Sequence, residues 1–317
     1  VRKKSKLGLA LGAGGARGIA HVGVLKVLER ESIPIDLIVG TSIGALVGAA
    51  YAANPDASAL EKRVCEVLDP HAKRETRLKL LEKSYWDVDF KPDFFHRLVR
   101  TVQKEMFLNL ALFRSAVLTE QDLQVSVEAF VPDIAIEDTR IPYFSTATDL
   151  LSGRPAVLKQ GSLVRAVMAS CAVPGFMPSI EWNGTVLVDG GLIDVLPVIP
   201  AKENGAEVVI GVDVGLILRR SHPVEDGIDA IHRATEIMNY YLSTAGRENA
   251  DVVIEPLVRN FGWTDFIAFE ELIRQGEIAA ELKIDEIREI VKPCFRNTMR
   301  QWTQKIIGKR TEKRRAQ

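Results

Sequence analysis

Gly40 and Gly44 stand two residues either side of Ser42, where an apolar run (Ile35, Leu37, Ile38, Val39) gives way to a small-residue run from Ala45 to Ala52. A chain that passes from strand to helix in so few residues reverses sharply, and side chains two positions before and after the apex would collide there. Glycine at both places predicts a tight strand–turn–helix with Ser42 at its apex. Such a turn also aims the first N–H groups of the helix at the serine, where free donors and the positive end of the helix dipole favour developing negative charge. Ser42 is therefore the first candidate nucleophile; the plainer alternative is an ordinary Gly-rich βα turn with a buried hydroxyl.

The rest of the chain alternates in the same way. Lys6 to Leu11 reads as a first strand, Gly12 to Gly18 as a loop, and Ile19 to Arg30 as a helix with Ile19, Val22, Leu25 and Leu28 on one face. Ile35 to Val39 is a second strand, followed by a buried helix from Ile43 to Ala52 that Asn54-Pro55-Asp56 ends. Further strands are expected at Pro142 to Thr148, Ala156 to Leu158, Thr185 to Val188, Glu207 to Val214 and Asp251 to Glu255, with helices at Leu163 to Ala169, Ile228 to Leu242 and Phe266 to Val291. This pattern implies an α/β fold with a mainly parallel central sheet and helices on both faces. A single domain is expected: a core at 7–207 carrying a helical insertion at about 57–130, and a segment at 208–317 that completes the sheet and adds helix and a basic tail.

Within Tyr85 to Phe113 lie seven of the twenty-one aromatic residues, where an even spread would give about two. They either pack the insertion on the core or line an acyl-chain pocket, and the second use predicts medium to long acyl chains. With 317 residues and 47% apolar content the chain can bury a large core. A formal charge of −1 gives no sign of a polyanion such as nucleic acid as the main partner, and none is expected. The tail holding Lys305, Lys309, Arg310, Lys313, Arg314 and Arg315 against Glu312 is open to two uses, a solvated end or contact with anionic lipid at a membrane surface. Cys65, Cys171 and Cys294 lie too far apart to suggest a disulfide framework or a zinc site, and no apolar run reaches the length of a membrane span, so a cytoplasmic protein without metal or cofactor is expected. The sequence carries no signal of oligomeric state.

Acyl transfer needs a nucleophile, a base and donors aimed at an oxyanion. Gly14 and Gly15, lacking side chains, let their amides approach a substrate oxygen, and Arg17 beside them holds the loop or adds positive potential. A dinucleotide fingerprint fails on spacing: counted from Gly12 its third glycine falls on Arg17, and the acidic residue expected at the end of strand two is Asp36 at its start. Two arrangements could supply the base. A histidine triad would need a late histidine, His222 or His232, whereas His21, His71 and His96 suit structural or surface places. The other candidate is Asp189 at the carboxyl end of its strand, where Gly190-Gly191 would turn with positive φ and leave the carboxylate uncovered.

Gly14-Gly15-Ala16-Arg17-Gly18, Gly40-Thr41-Ser42-Ile43-Gly44, Asp189-Gly190-Gly191, Ala169 to Gly175 and Thr146 to Asp149, in this order over about Leu7 to Glu207, resemble the patatin-like phospholipase family, in particular bacterial members related to the catalytic domain of neuropathy target esterase. The resemblance implies the three-layer α/β/α arrangement of the FabD/lysophospholipase-like group. It implies a Ser42–Asp189 dyad without catalytic histidine, an oxyanion hole at Gly14 and Gly15 with Arg17 beside it, and hydrolysis of phospholipid or lysophospholipid acyl esters through an acyl-enzyme. Gly18, Gly40, Gly44, Gly190 and Gly191 support these motifs. Two positions depart from the pattern: Ala13 stands where many members carry glycine, and Asp194 where asparagine is frequent. An acyltransferase of the same fold group and a non-catalytic patatin-like module are the alternatives; Thr41 before the serine, where malonyl-transfer relatives carry histidine, argues against the first.

Overall fold

The computed structural model describes residues 6–68, 118–215, 218, 224 and 227–291. The aromatic-rich stretch within 69–117, His71, His96, His222, Cys294 and the basic tail lie outside the described residues.

Eight strands form one sheet: β1 (Leu7–Leu11), β2 (Leu37–Thr41), β3 (Tyr143–Asp149), β4 (Arg154–Leu158), β5 (Ile180–Trp182), β6 (Thr185–Asp189), β7 (Val208–Val212) and β8 (Val252–Ile254). Their order is β5-β6-β3-β2-β1-β7-β8, with β4 also on β3. The neighbours from β3 through β2, β1 and β7 to β8 are parallel, whereas β4, β5 and β6 pair antiparallel. Strand β2 starts two residues later than the spacing predicts, and the Asp36 carboxylate just before it accepts from the Leu7 N–H at 2.7 Å. The short strand β5 lies outside the expected strands, although Ile180-Glu181-Trp182 alternates and Asn183-Gly184 turns the chain into β6.

Helices cover both faces: α1 (Ala20–Arg30), α2 (Ile43–Ala53), α3 (Ala57–Leu68), α4 (Glu120–Glu128), α5 (Leu163–Ser170), α6 (Val198–Glu203), α7 (Gly227–Asn249) and α8 (Phe269–Val291). Alternation along β1 divides the core in two. Leu7, Leu9 and Leu11 enter a large cluster with α1, α2, α5 and α8, while Ala10 joins Leu37, Val39, Val198 and Ala201 on the other face. Helix α2 is buried over most of its circumference, as its run of alanines and glycines requires. Among the described residues no helix is long and apolar enough to cross a membrane.

Helices α1 and α8 meet backbone to backbone. A Cβ at Gly276 would lie 1.9 Å from the Ala20 carbonyl oxygen, and one at Gly23 would lie 1.9 Å from that of Ile273. Glycine normally weakens a helix interior by about 1 kcal/mol relative to alanine. Here the crossing depends on it, so Gly276→Ala should lower stability by about 1–3 kcal/mol in spite of the gain in helix propensity, read as a lower denaturation midpoint.

Candidate active site

The site is assembled on β3, which uses its two edges differently. Along one edge β4 pairs with Ser145 to Asp149. Along the other, β2 pairs with Tyr143 to Thr146 and β6 takes over from Ala147 to Asp149. Strands β2 and β6 therefore run toward each other end to end, Thr41 opposite Thr146 and Asp189 opposite Ala147. The last residue of β6 meets the first residue after β2, which is Ser42. Asp189 thus reaches the serine from an antiparallel strand, not from the carboxyl rim of the parallel sheet as its sequence setting suggests.

Ser42 occupies the apex of the turn with φ 55° and ψ −124°, a left-handed conformation rare for a residue with a side chain. The flanking glycines are required by close approach: a Cβ at Gly40 would lie 2.4 Å from the Gly44 carbonyl oxygen, and one at Gly44 would lie 2.2 Å from that of Leu11. The Ser42 hydroxyl donates to Asp189 Oδ2 at 2.6 Å. Asp189 is buried, accepts the Gly191 N–H on Oδ1 at 2.7 Å, donates its own N–H to the Ala172 carbonyl at 2.9 Å and receives the Thr148 hydroxyl on its carbonyl. The Ser42 N–H donates to Ser170 Oγ at 2.8 Å.

Two expectations about the Asp-Gly-Gly turn are corrected. Gly190 and Gly191 do not take positive φ, and the Asp189 carboxylate is covered rather than open. The chain makes a 3-10 turn over Gly190–Leu192, and a Cβ at Gly190 would fall 2.6 Å from the Thr146 carbonyl oxygen. The glycine is needed for contact with β3, not for torsional freedom.

Gly15 opens a 3-10 turn (Gly15–Ile19) at φ 58°, and Gly18 packs on Ile43 at the start of α2. The Gly12, Ala13 and Ala16 N–H groups donate to the Val212, Val195 and Trp263 carbonyls, whereas those of Gly14 and Gly15 have no acceptor among the described residues. Arg17 is buried, and its Nε donates to the Gly14 carbonyl at 3.1 Å. In a trans peptide the carbonyl of Gly14 and the N–H of Gly15 point opposite ways, so holding the one aims the other. Burial pushes the Arg17 guanidinium down to about 10, against the pull of Glu236, Asp213 and Asp265, and it stays charged at neutral pH.

His21 is fully buried beneath this loop, with Nε2 2.9 Å from the Gly12 carbonyl. That acceptor places the proton on Nε2. Nδ1 has no hydrogen-bond partner, and burial pushes the imidazole down to about 4, so His21 is a neutral support of the loop. His232 lies within α7. The residues that spacing did not single out are Ser170, Thr146 and Trp263. The first two lie in runs quoted for the family resemblance, and Trp263 acts through its carbonyl, which leaves no mark in a sequence.

A serine held at positive φ on a strand-to-helix turn and bonded to a buried carboxylate has the geometry of a nucleophile elbow on an α/β sheet. The patatin-like phospholipase family model matches residues 9–202, and the chain belongs to that family. It is 36% identical over 211 residues to Patatin-like phospholipase domain-containing protein 6 of Mus musculus, covering 66% of this chain and 13% of that protein. It is 29% identical over 310 residues to Lysophospholipase NTE1 of Yarrowia lipolytica, covering 89% of this chain and 20% of the relative. The chain thus spans a fifth or less of the length of these curated relatives. The crystal structure of VipD from Legionella pneumophila has the same fold, with a TM-score of 0.50 at 14% identity over 90% of this chain and 67% of that one.

Lysine lacks the Nε–H of arginine and ends in a point charge, so Arg17→Lys should release the Gly14 carbonyl and lower kcat about tenfold or more with the fold intact by circular dichroism. Asp189 supplies a second expectation. Burial pushes its carboxyl up from 3.8 to about 6, opposed by the bonds from Ser42 and Gly191. A folded value above the unfolded one means stability that is fully present below 3.8 is lost as pH rises through about 6. Asp189→Asn should therefore melt higher than the parent at pH 7, by up to about 3 kcal/mol, and the difference should vanish in a melt at pH 3.5.

Proposed function

We propose that this protein is a serine hydrolase that cleaves acyl esters of lysophospholipids and related lipids through a Ser42–Asp189 dyad and an acyl-enzyme. The observation that carries the reading is the 2.6 Å bond from the Ser42 hydroxyl to the Asp189 carboxylate, which takes the place at the nucleophile that a triad gives to an imidazole. Membership of the patatin-like family, and a relative whose name is Lysophospholipase NTE1, support the substrate class.

Ser42 Oγ attacks the ester carbonyl as its proton passes to Asp189, forming a tetrahedral intermediate whose oxyanion accepts from the Gly14 and Gly15 amides. Collapse breaks the bond to the alcohol, which takes the proton back from Asp189 and leaves Ser42 acylated. Water then gives a proton to Asp189 and attacks the acyl carbon, and the second tetrahedral intermediate releases the fatty acid and restores the serine. One carboxyl thus acts as base and then as acid in each half-reaction, a task suited to a group poised near 6. The reading includes contact with lipid surfaces, where such substrates reside.

Fluorophosphonate labelling and turnover of a lysophospholipid, followed together in the parent, Ser42→Ala and Asp189→Asn, test the dyad. Ser42→Ala should lose labelling, and Asp189→Asn should lose turnover by about a hundredfold or more; full activity in Ser42→Ala would sink the proposal. Products captured by added alcohols in preference to water would move the reading to acyl transfer. The base must be ionised, so kcat/KM should rise with pH through about 6 and level above it. Asp194 is also pushed up to about 6, by burial and by Glu203. Asp194→Asn should keep this acid limb, and its disappearance in that variant would take the titration away from Asp189.

A further inference from the structure

The turn that ends α5 touches both members of the dyad through their main chains. We propose that Ser170 is a positioning residue, which holds the Ser42 backbone in its reactive conformation and withdraws the Ser42 amide from the oxyanion hole. This role presupposes the Ser42–Asp189 dyad proposed for the site. Ser170 is fully buried, and its side-chain oxygen accepts from the Ser42 N–H at 2.8 Å. Two residues on, the Ala172 carbonyl accepts from the Asp189 N–H at 2.9 Å. One short stretch therefore sets the height of the nucleophile and of the base against each other.

The clip is itself anchored. Ser162 caps the start of α5 by accepting from the Arg165 N–H, and the Ser145 hydroxyl of β3 donates to the Ala166 carbonyl at 3.1 Å. The strand that sets the register of Thr41 and Asp189 therefore also fixes the helix that carries Ser170. The bond to Ser170 opposes relaxation of Ser42 from φ 55°, because a turn to negative φ would swing the N–H away from Ser170 and the hydroxyl away from Asp189. With that amide occupied, the Ser42 N–H is not among the donors left for an oxyanion. Ser170 moves no proton and acts only through Ser42.

The test compares Ser170→Ala, Ser170→Cys, Ser145→Ala and Ser42→Ala on a chromogenic acyl ester, with melting curves and fluorophosphonate labelling rates alongside. Ser145→Ala removes a buried hydroxyl that holds the same helix without touching the dyad, so it reports the effect of loosening alone. Ser170→Ala should lower kcat about ten- to a hundredfold, keep KM within about twofold and slow labelling by the same factor, whereas Ser145→Ala should destabilise with a much smaller loss of kcat. Ser170→Cys, a weaker acceptor of the same shape, should fall between, and it decides the matter if Ser170→Ala does not fold. Ser170 variants that turn over and label like Ser145→Ala overturn the proposal. Activity retained in Ser42→Ala would instead overturn the dyad, so the two failures are distinct.

Discussion

Thr146 and Ala147 are neighbours on β3, and the site depends on what they pair with. Thr146 is the last partner of β2, and Ala147 is the last partner of β6, which comes down the same edge from the opposite direction. Consecutive residues of one strand are spaced by a fixed rise of about 3.3 Å. The Ser42 hydroxyl and the Asp189 carboxylate are thereby brought within hydrogen-bond reach by a backbone ladder rather than by flexible side chains. The Thr41 and Thr146 hydroxyls, 2.7 Å apart, and the Thr41 bond to the Asp194 carbonyl lock the junction from within the sheet.

This placement has a cost that the rest of the fold offsets. A left-handed serine is worth about 1–3 kcal/mol of strain, and a carboxyl raised to about 6 by burial favours the proton that the role of base proposed for it would require it to lose. Both persist because the surroundings determine them several times over: two glycines at the elbow, Ser170 on the Ser42 amide, and Gly191, Ala172 and Thr148 around Asp189. Local instability at the reacting groups and the density of support around them are two aspects of one arrangement.

Much of this was legible in the residues. Gly40, Ser42 and Gly44 announce the elbow because sterics at a strand-to-helix reversal leave few other solutions, and the apolar runs announce β1, β2 and β7 because buried strands read as continuous apolar stretches. What could not be read was relative direction. Asn183-Gly184 does signal the β5–β6 hairpin, but nothing in Thr185 to Asp189 tells whether β6 pairs with β3 parallel or antiparallel, since that depends on which edge of β3 is free. The purpose of Gly190 was likewise hidden, because glycine is needed equally for positive φ and for close approach, and only the position of the Thr146 carbonyl decides between them. His21 read as a packed helix residue, and its bond to the Gly12 carbonyl shows what the packing holds.

The family match ends at residue 202, yet the loop bearing Gly14 and Gly15 is completed by residues C-terminal to that point. The Val212 carbonyl holds the Gly12 amide, and the Trp263 carbonyl holds that of Ala16. A Cβ on Gly15 would fall 2.3 Å from that same Trp263 oxygen. The Trp263 ring stands edge-on to Phe176 at 5.1 Å, just past the turn that holds Ser42 and Asp189. Behind the loop, α8 crosses α1 at Ala20 with no side chain between them. The region after 202 therefore does more than add a sheet edge. It fixes the amides at 12 and 16, and with Arg17 on the Gly14 carbonyl those anchors hold the loop that carries Gly14 and Gly15 at both ends and in the middle.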